Sequence, residues 1–218
     1  MQRLRIRFRR GEEIKFISHL DIIRLWQRAF TRANIPLAYS EGFNPHPRIS
    51  LAAPLALGIT SDAELMDVYL SKELSPHFFT TTVNRQLPAG VSILQAIQVP
   101  SHIPTIQSQL RYAEYEVFLN ETAPETTEAA ISALLELETL PWQHQRDTGP
   151  HHYDLRQLID DIWVIEHRPG GCRLGMRLRC DNTGSGRPEQ VTAALGFTGY
   201  PQAVHRSRLV LKTYRDSN

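Results

Sequence analysis

Leu4, Ile6 and Phe8 alternate with Arg3, Arg5, Arg7 and Arg9 at the start of the chain. A period of two belongs to a strand and not to a helix, so this stretch must join a sheet with one apolar face and one guanidinium face. Neighbouring guanidinium groups repel one another unless carboxylates, anions or a partner lie over them. The stretch therefore reads either as an edge strand that uses charge against self-association or as part of a polyanion surface.

Gly11-Glu12-Glu13 turns the chain, and Ser18 stands as an N-cap with Asp21 three residues on. Leu20, Ile22, Ile23, Leu25, Ala29 and Phe30 give the helix that follows a wide apolar stripe. Arg24, Arg28 and Arg32 recur at i, i+4 and i+8 as a basic ladder. His19 and Asp21 fall in the first turn, where the helix dipole favours Asp21 and lowers the basicity of His19.

The segment from Ser40 to Ser50 combines Gly42, Pro45 and Pro47 with a cluster of polar side chains. Two fixed φ angles and one permissive glycine predict a shaped loop, from which Glu41, Asn44, His46 and Arg48 project on a stiff backbone. Phe43 and His46 beside Arg48 supply possible stacking groups. With His19, Asp21 and Arg24, these residues form the candidate functional site. The candidate polyanion-binding residues are Arg3, Arg5, Arg7, Arg9, Arg24, Arg28, Arg32, Phe43 and Arg48.

An extended run from Ile49 to Leu57, closed by Gly58, is expected to pair with a strand at Leu65–Leu70. Ser75-Pro76 opens a helix and Val91–Val99 is a further strand, completing the order β-α-β-β-α-β of a ferredoxin-like unit. Pro100 to Ile106 reads as a linker. Beyond it lie a strand at Ala113–Leu119, a helix at Pro124–Leu137, a short strand at Trp142–Arg146 and a loop at Asp147–His152. Tyr153–Ile159 is read as strand or turn. Strands at Ile162–His167, Cys172–Cys180 and Ala203–Leu211 follow, with a short helix from Arg187 to Gly196. The expectation is an α+β chain of tandem ferredoxin-like units, residues 1–104 and 105–218, the second irregular.

Within 218 residues no apolar run approaches the length of a membrane span. Met1–Arg10 holds five arginines with no apolar stretch behind them, unlike an export leader. Two cysteines, Cys172 and Cys180, are too few for a disulfide framework. A cytoplasmic protein without a membrane partner is expected. Residues 1–50 sum to +6, residues 51–166 to −11 and residues 167–218 to +6, so the two basic ends would attract polyanions if they meet.

Phe16-Ile17-Ser18-His19-Leu20-Asp21, Arg24, Arg32-Ala33, Tyr39 through Pro47, Pro54-Leu55 with Gly58, and Ser61 with Glu64 closely resemble the bacterial family of radical-SAM-associated, or radical-SAM-linked, proteins. Asp154-Leu155-Arg156 and Arg187 through Val191 look like its carboxy-terminal marks. That resemblance implies a radical SAM protein as partner and supplies no assigned reaction. The three thiolates needed to hold an iron–sulfur cluster are missing, so S-adenosylmethionine and the cluster are expected on the partner only, with no cofactor in this chain. The cysteines, evenly spaced on one strand face, read as buried and unligated. His144, His151, His152, His167 and Cys172 lack the paired spacing of a zinc site, and no metal is expected.

Three functions compete. The first is an accessory protein, not catalytic alone, that binds or presents an RNA or other polyanionic substrate. A self-contained RNA-processing or phosphoryl-transfer enzyme would instead use His19 and His46 as acid and base. The third is a protein-docking module without nucleic acid.

Overall fold

The leading alternation forms β1 (Gln2–Arg10), with Leu4, Ile6 and Phe8 shut from water. The computed structural model describes residues 1–120, 127–146 and 149–212, the side chains of 145 and 146 excepted. Its described residues divide into two units, one of Met1–Leu110 with Leu211 and Lys212, the other of Arg111–Val210.

In the first unit, β1 is followed by α1 (His19–Arg32), β2 (Ile49–Leu51), β3 (Thr60–Leu70), α2 (Pro76–Asn84), β4 (Val91–Gln98) and the short α3 (Ile106–Gln109). Every pairing is antiparallel: β3 lies between β1 and β2, and β4 takes the other edge of β1, giving the order β4-β1-β3-β2. The helices cover the apolar face of this sheet. Trp26 meets Phe8 edge-on at 4.9 Å and stacks on Phe30 at 5.4 Å, and Phe30 touches Phe79 at 5.7 Å. Irregular pairing between Phe8 and Arg10 keeps Arg10 buried beyond the apolar row, where its Nη2 donates to the Ile17 carbonyl at 3.2 Å.

One expectation needs correction here. The extended run stops at Leu51 rather than Leu57, because Pro54 lacks the donor a ladder requires and Leu55 and Ile59 turn inward. Pro100–Ile106, expected as a linker, is tied to β1 and β3. Arg3 Nη2 donates to the carbonyls of Pro100 at 2.8 Å and Ile103 at 2.7 Å, and the Ile106 N–H donates to Asp67 Oδ2 at 3.2 Å.

The second unit contains β5 (Leu110–Leu119), α4 (Thr127–Glu136), β6 (Pro141–Arg146), β7 (Gly149–Asp154), β8 (Ile159–Arg168), β9 (Gly171–Asp181), β10 (Gly184–Ser185), α5 (Pro188–Ala194) and β11 (Ala203–Leu211). β9 pairs with β5, β8 and β10, all antiparallel, and β11 lies on the other edge of β5. β6 and β7 form a separate hairpin. Residues 149–152 are therefore strand where a loop was expected, since Gly149-Pro150 reads locally as a turn. Residues 147 and 148, and the expected helix start at Pro124, lie outside the described residues.

Arg156 fastens the end of α4: Nε and Nη2 donate to the Leu135 carbonyl at 3.2 and 2.9 Å, and Nε to that of Leu137 at 3.1 Å. Asp154 Oδ1 accepts from the backbone N–H groups of Leu140 and Arg156. Across β8 and β9 the indole of Trp163 lies on Gly175, where a Cβ would come within 2.1 Å of it. The architecture is mixed α+β with few helices. Among the described residues no helix is long and apolar enough to cross a membrane.

Candidate functional site

Ser18 caps α1 by accepting from the Asp21 N–H at 3.1 Å, and its hydroxyl donates back to Asp21 Oδ2 at 2.7 Å. Arg24 Nη1 donates to Asp21 Oδ1 at 3.2 Å. The Ser18 hydroxyl, helped by Arg24, holds the Asp21 carboxyl below the usual aspartate range. Asp21 is thereby committed to the cap and does not orient His19, which is half-buried in the same turn.

The 40–48 loop closes on itself at its neck. Ser40 N–H donates to the His46 carbonyl at 2.9 Å, the His46 N–H to Ser40 Oγ at 3.0 Å, and the Arg48 N–H to the Ala38 carbonyl at 2.8 Å. Tyr39 and Pro47 pair as a bridge. Gly42 takes φ 115°, a value that disfavours any side chain. Glu41, Phe43, Asn44 and His46 are exposed around it. Among the described residues no hydrogen bond or ion pair joins this loop to His19, Asp21 or Arg24.

Arg48 leaves the loop for a different place. Its guanidinium lies 4.4 Å from the centroid of the Tyr69 ring, and Nη1 is 3.2 Å from Met1 Sδ. Arg3 approaches the same ring at 6.0 Å. Arg3, Arg48, Tyr69 and His102, with the 99–105 stretch, line an open cleft of about 390 Å³. No carboxylate pairs with Arg48 among the described residues.

The other arginines divide. Arg5 forks onto the fully buried Asp67, Nε to Oδ1 at 2.7 Å and Nη2 to Oδ2 at 3.1 Å, while its Nη1 donates to Gln109. Arg3 is 6% exposed, with Nη1 4.0 Å from Asp67 Oδ2. Of the four arginines expected on this strand face, Arg3 and Arg5 are thus taken up by Asp67, Gln109 and backbone carbonyls. Arg7 is exposed, and Arg9 pairs with Asp62 at 3.3 Å. On α1, Arg24, Arg28 and Arg32 are exposed, and Arg32 Nη2 donates to the Gln86 carbonyl at 2.6 Å.

Sequence reasoning missed Tyr69 and His102. Tyr69 looks like any half-buried strand position, and only pairing with β1 and β2 puts it beneath Arg48. Cys172 and Cys180 are buried, and burial, with Glu128 nearby, pushes the Cys172 thiol up. Among the described residues no three His, Cys, Asp or Glu side chains gather as a metal site.

A family model described as "Uncharacterized protein conserved in bacteria (DUF2344)" matches residues 3–188. No curated protein sequence matches the chain. Among solved structures, a chain of a Cbf5-Nop10-Gar1 complex aligns with a TM-score of 0.51 at 11% identity, covering 94% of this chain and 48% of that one. A chain of an H/ACA RNP bound to a substrate RNA containing 2′-deoxyuridine aligns at 0.48 with 11% identity, covering 94% and 47%. A chain of an archaeal box H/ACA sRNP Nop10-Cbf5 complex also gives 0.48, with 10% identity and coverage of 95% and 48%. The chain spans about half the length of the solved chains it matches. At such identities the likeness is one of fold alone.

Proposed function

This chain belongs to that family of uncharacterised proteins conserved in bacteria, and from that premise we propose that it is an accessory protein of a radical SAM enzyme, binding an RNA or other polyanionic substrate on its first unit. The observation that carries the polyanion part is Arg48, stacked on Tyr69 at 4.4 Å with no carboxylate partner among the described residues, in the wall of an open cleft. A cation without a local anion, mounted on an aromatic ring, suits a phosphate with a base beside it. Exposed Arg28 and Arg32 on α1 and the exposed ring of Phe43 extend the same chemistry.

The radical SAM partnership rests on the sequence resemblance. In this reading the partner carries the cluster and S-adenosylmethionine, and the buried cysteines of this chain take no part. Exposed Phe16 and Leu57 offer such a partner an apolar foothold. The Phe16 ring comes 3.5 Å from the Cβ position of Gly58, and Gly58 N–H donates to the Lys15 carbonyl at 2.9 Å, so the two side chains border one patch. A tandem ferredoxin-like architecture belongs to the same proposal. The first unit's β4-β1-β3-β2 order supports it, and in the second unit the β6–β7 hairpin counts as an insertion.

Fluorescence anisotropy with tRNA and with single-stranded RNA over a salt series tests the proposal. Affinity should fall steeply as salt rises. Absence of RNA binding at low salt would sink the polyanion reading, whereas recovery of a radical SAM protein from RNase-treated lysate, lost in a Phe16→Ser/Leu57→Ser variant, would uphold the partnership.

A further inference from the structure

In the second unit, the β6–β7 hairpin, the β9–β10 turn and the start of α5 border a cleft of about 480 Å³, a size typical of small-molecule sites. His144 and His151 stand opposite each other on the hairpin, and Tyr153, Arg179, Arg187 and Gln190 continue the polar wall. Arg187 Nη1 lies 3.3 Å from His144 Nε2. A guanidinium cannot accept, so in this contact Arg187 donates and the imidazole nitrogen accepts. Arg187 Nη1 stands 4.0 Å from Glu189 Oε1. Arg179 meets Asp181 through Nε at 3.1 Å, and its two terminal nitrogens make no hydrogen bond among the described residues.

Gln190 adds an independent sign. It is 7% exposed and its Oε1 accepts from the Tyr153 hydroxyl at 2.6 Å. Its amide nitrogen makes no hydrogen bond among the described residues, although the side chain lines the cleft. That amide is a donor open to a ligand oxygen at the cleft wall. The carboxylate on this wall, Asp154, directs Oδ1 to the backbone N–H groups of Leu140 and Arg156. Donors and positive charge thus dominate the lining. The rings of His151 and Tyr153, 5.5 Å apart and tilted by 40°, supply an aromatic side.

We propose that this cleft binds a phosphate monoester carried on a planar ring, in size a mononucleotide. Arg179 and Arg187 take the phosphate, whose geometry matches their planar forks, and the His151–Tyr153 side takes the ring. The site is separate from the polyanion surface of the first unit and stands without it.

Titration calorimetry of the full chain with AMP, adenosine and inorganic phosphate tests the assignment. AMP is expected to bind about tenfold or more tighter than either fragment, because each makes only one set of contacts. Arg187→Gln and Arg179→Gln, both at partly exposed positions, should each weaken AMP about tenfold while the circular dichroism spectrum stays unchanged. Phosphorus NMR of bound AMP should lose its shift change in either variant. The proposal is overturned by no AMP binding at about 10 mM, by adenosine or inorganic phosphate binding as tightly as AMP, or by AMP affinity unchanged in both folded variants.

Discussion

Arg5 grips Asp67 through two parallel hydrogen bonds of 2.7 and 3.1 Å, with the carboxylate wholly shut from water. The same carboxylate accepts from the Ile106 N–H at the start of α3, so one buried charge ties β1, β3 and the chain leaving the sheet. Burying such a pair gains little net stability, but removing one member leaves the other uncompensated.

Asp67→Asn is therefore expected to lower stability by about 3–5 kcal/mol. Urea denaturation should show an earlier midpoint with an unchanged slope. A loss under about 1 kcal/mol would contradict the role given to this carboxylate.

Arg48→Gln should leave folding within about 0.5 kcal/mol of the parent, since the side chain is exposed and touches little beyond Tyr69 and Met1. If Arg48 meets a phosphate, the slope of log affinity for RNA against log salt should flatten by about one. An unchanged slope would remove Arg48 from the interface.

Ser18→Ala should destabilise the protein by about 1 kcal/mol at neutral pH through loss of the cap. The Asp21 carboxyl is held low by Ser18 and then Arg24. Its stabilising contribution is present above the unfolded-state pKa and fades as pH falls through the folded-state value. The gap between parent and variant, measured by chemical denaturation along a pH series, should narrow on the acid side. A gap that widens there would refute this account.

Gly175→Ala places a methyl where the Trp163 indole now lies, 2.1 Å from the nearest ring atom. The ring must swing away or β8 must shift, at about 1–3 kcal/mol. Red-shifted tryptophan emission relative to the parent, together with a lower melting temperature, is the expected signature. Unchanged emission would mean that the indole is not held on Gly175.

The order of the first unit was legible because its signals are local: a period of two in β1, an N-cap at Ser18, a proline opening α2. The fate of Arg3 and Arg5 was not, for it depends on Asp67, 62 residues beyond Arg5. That carboxylate looks like an ordinary polar position in an alternating strand. The prolines at 100 and 104 suggested a linker, and the sequence gives no sign that the carbonyls of Pro100 and Ile103 are what Arg3 holds. Position, not composition, also decided the candidate site. The loop's polar residues were visible from sequence, whereas the separate course of Arg48 towards Tyr69 needed the register of β1 with β3.

The clasp between Ser40 and His46 relieves the crown of that loop of any architectural duty. Residues 41 to 45 can accordingly be exchanged as a cassette while the Ser40–His46 clasp keeps the flanking backbone in place.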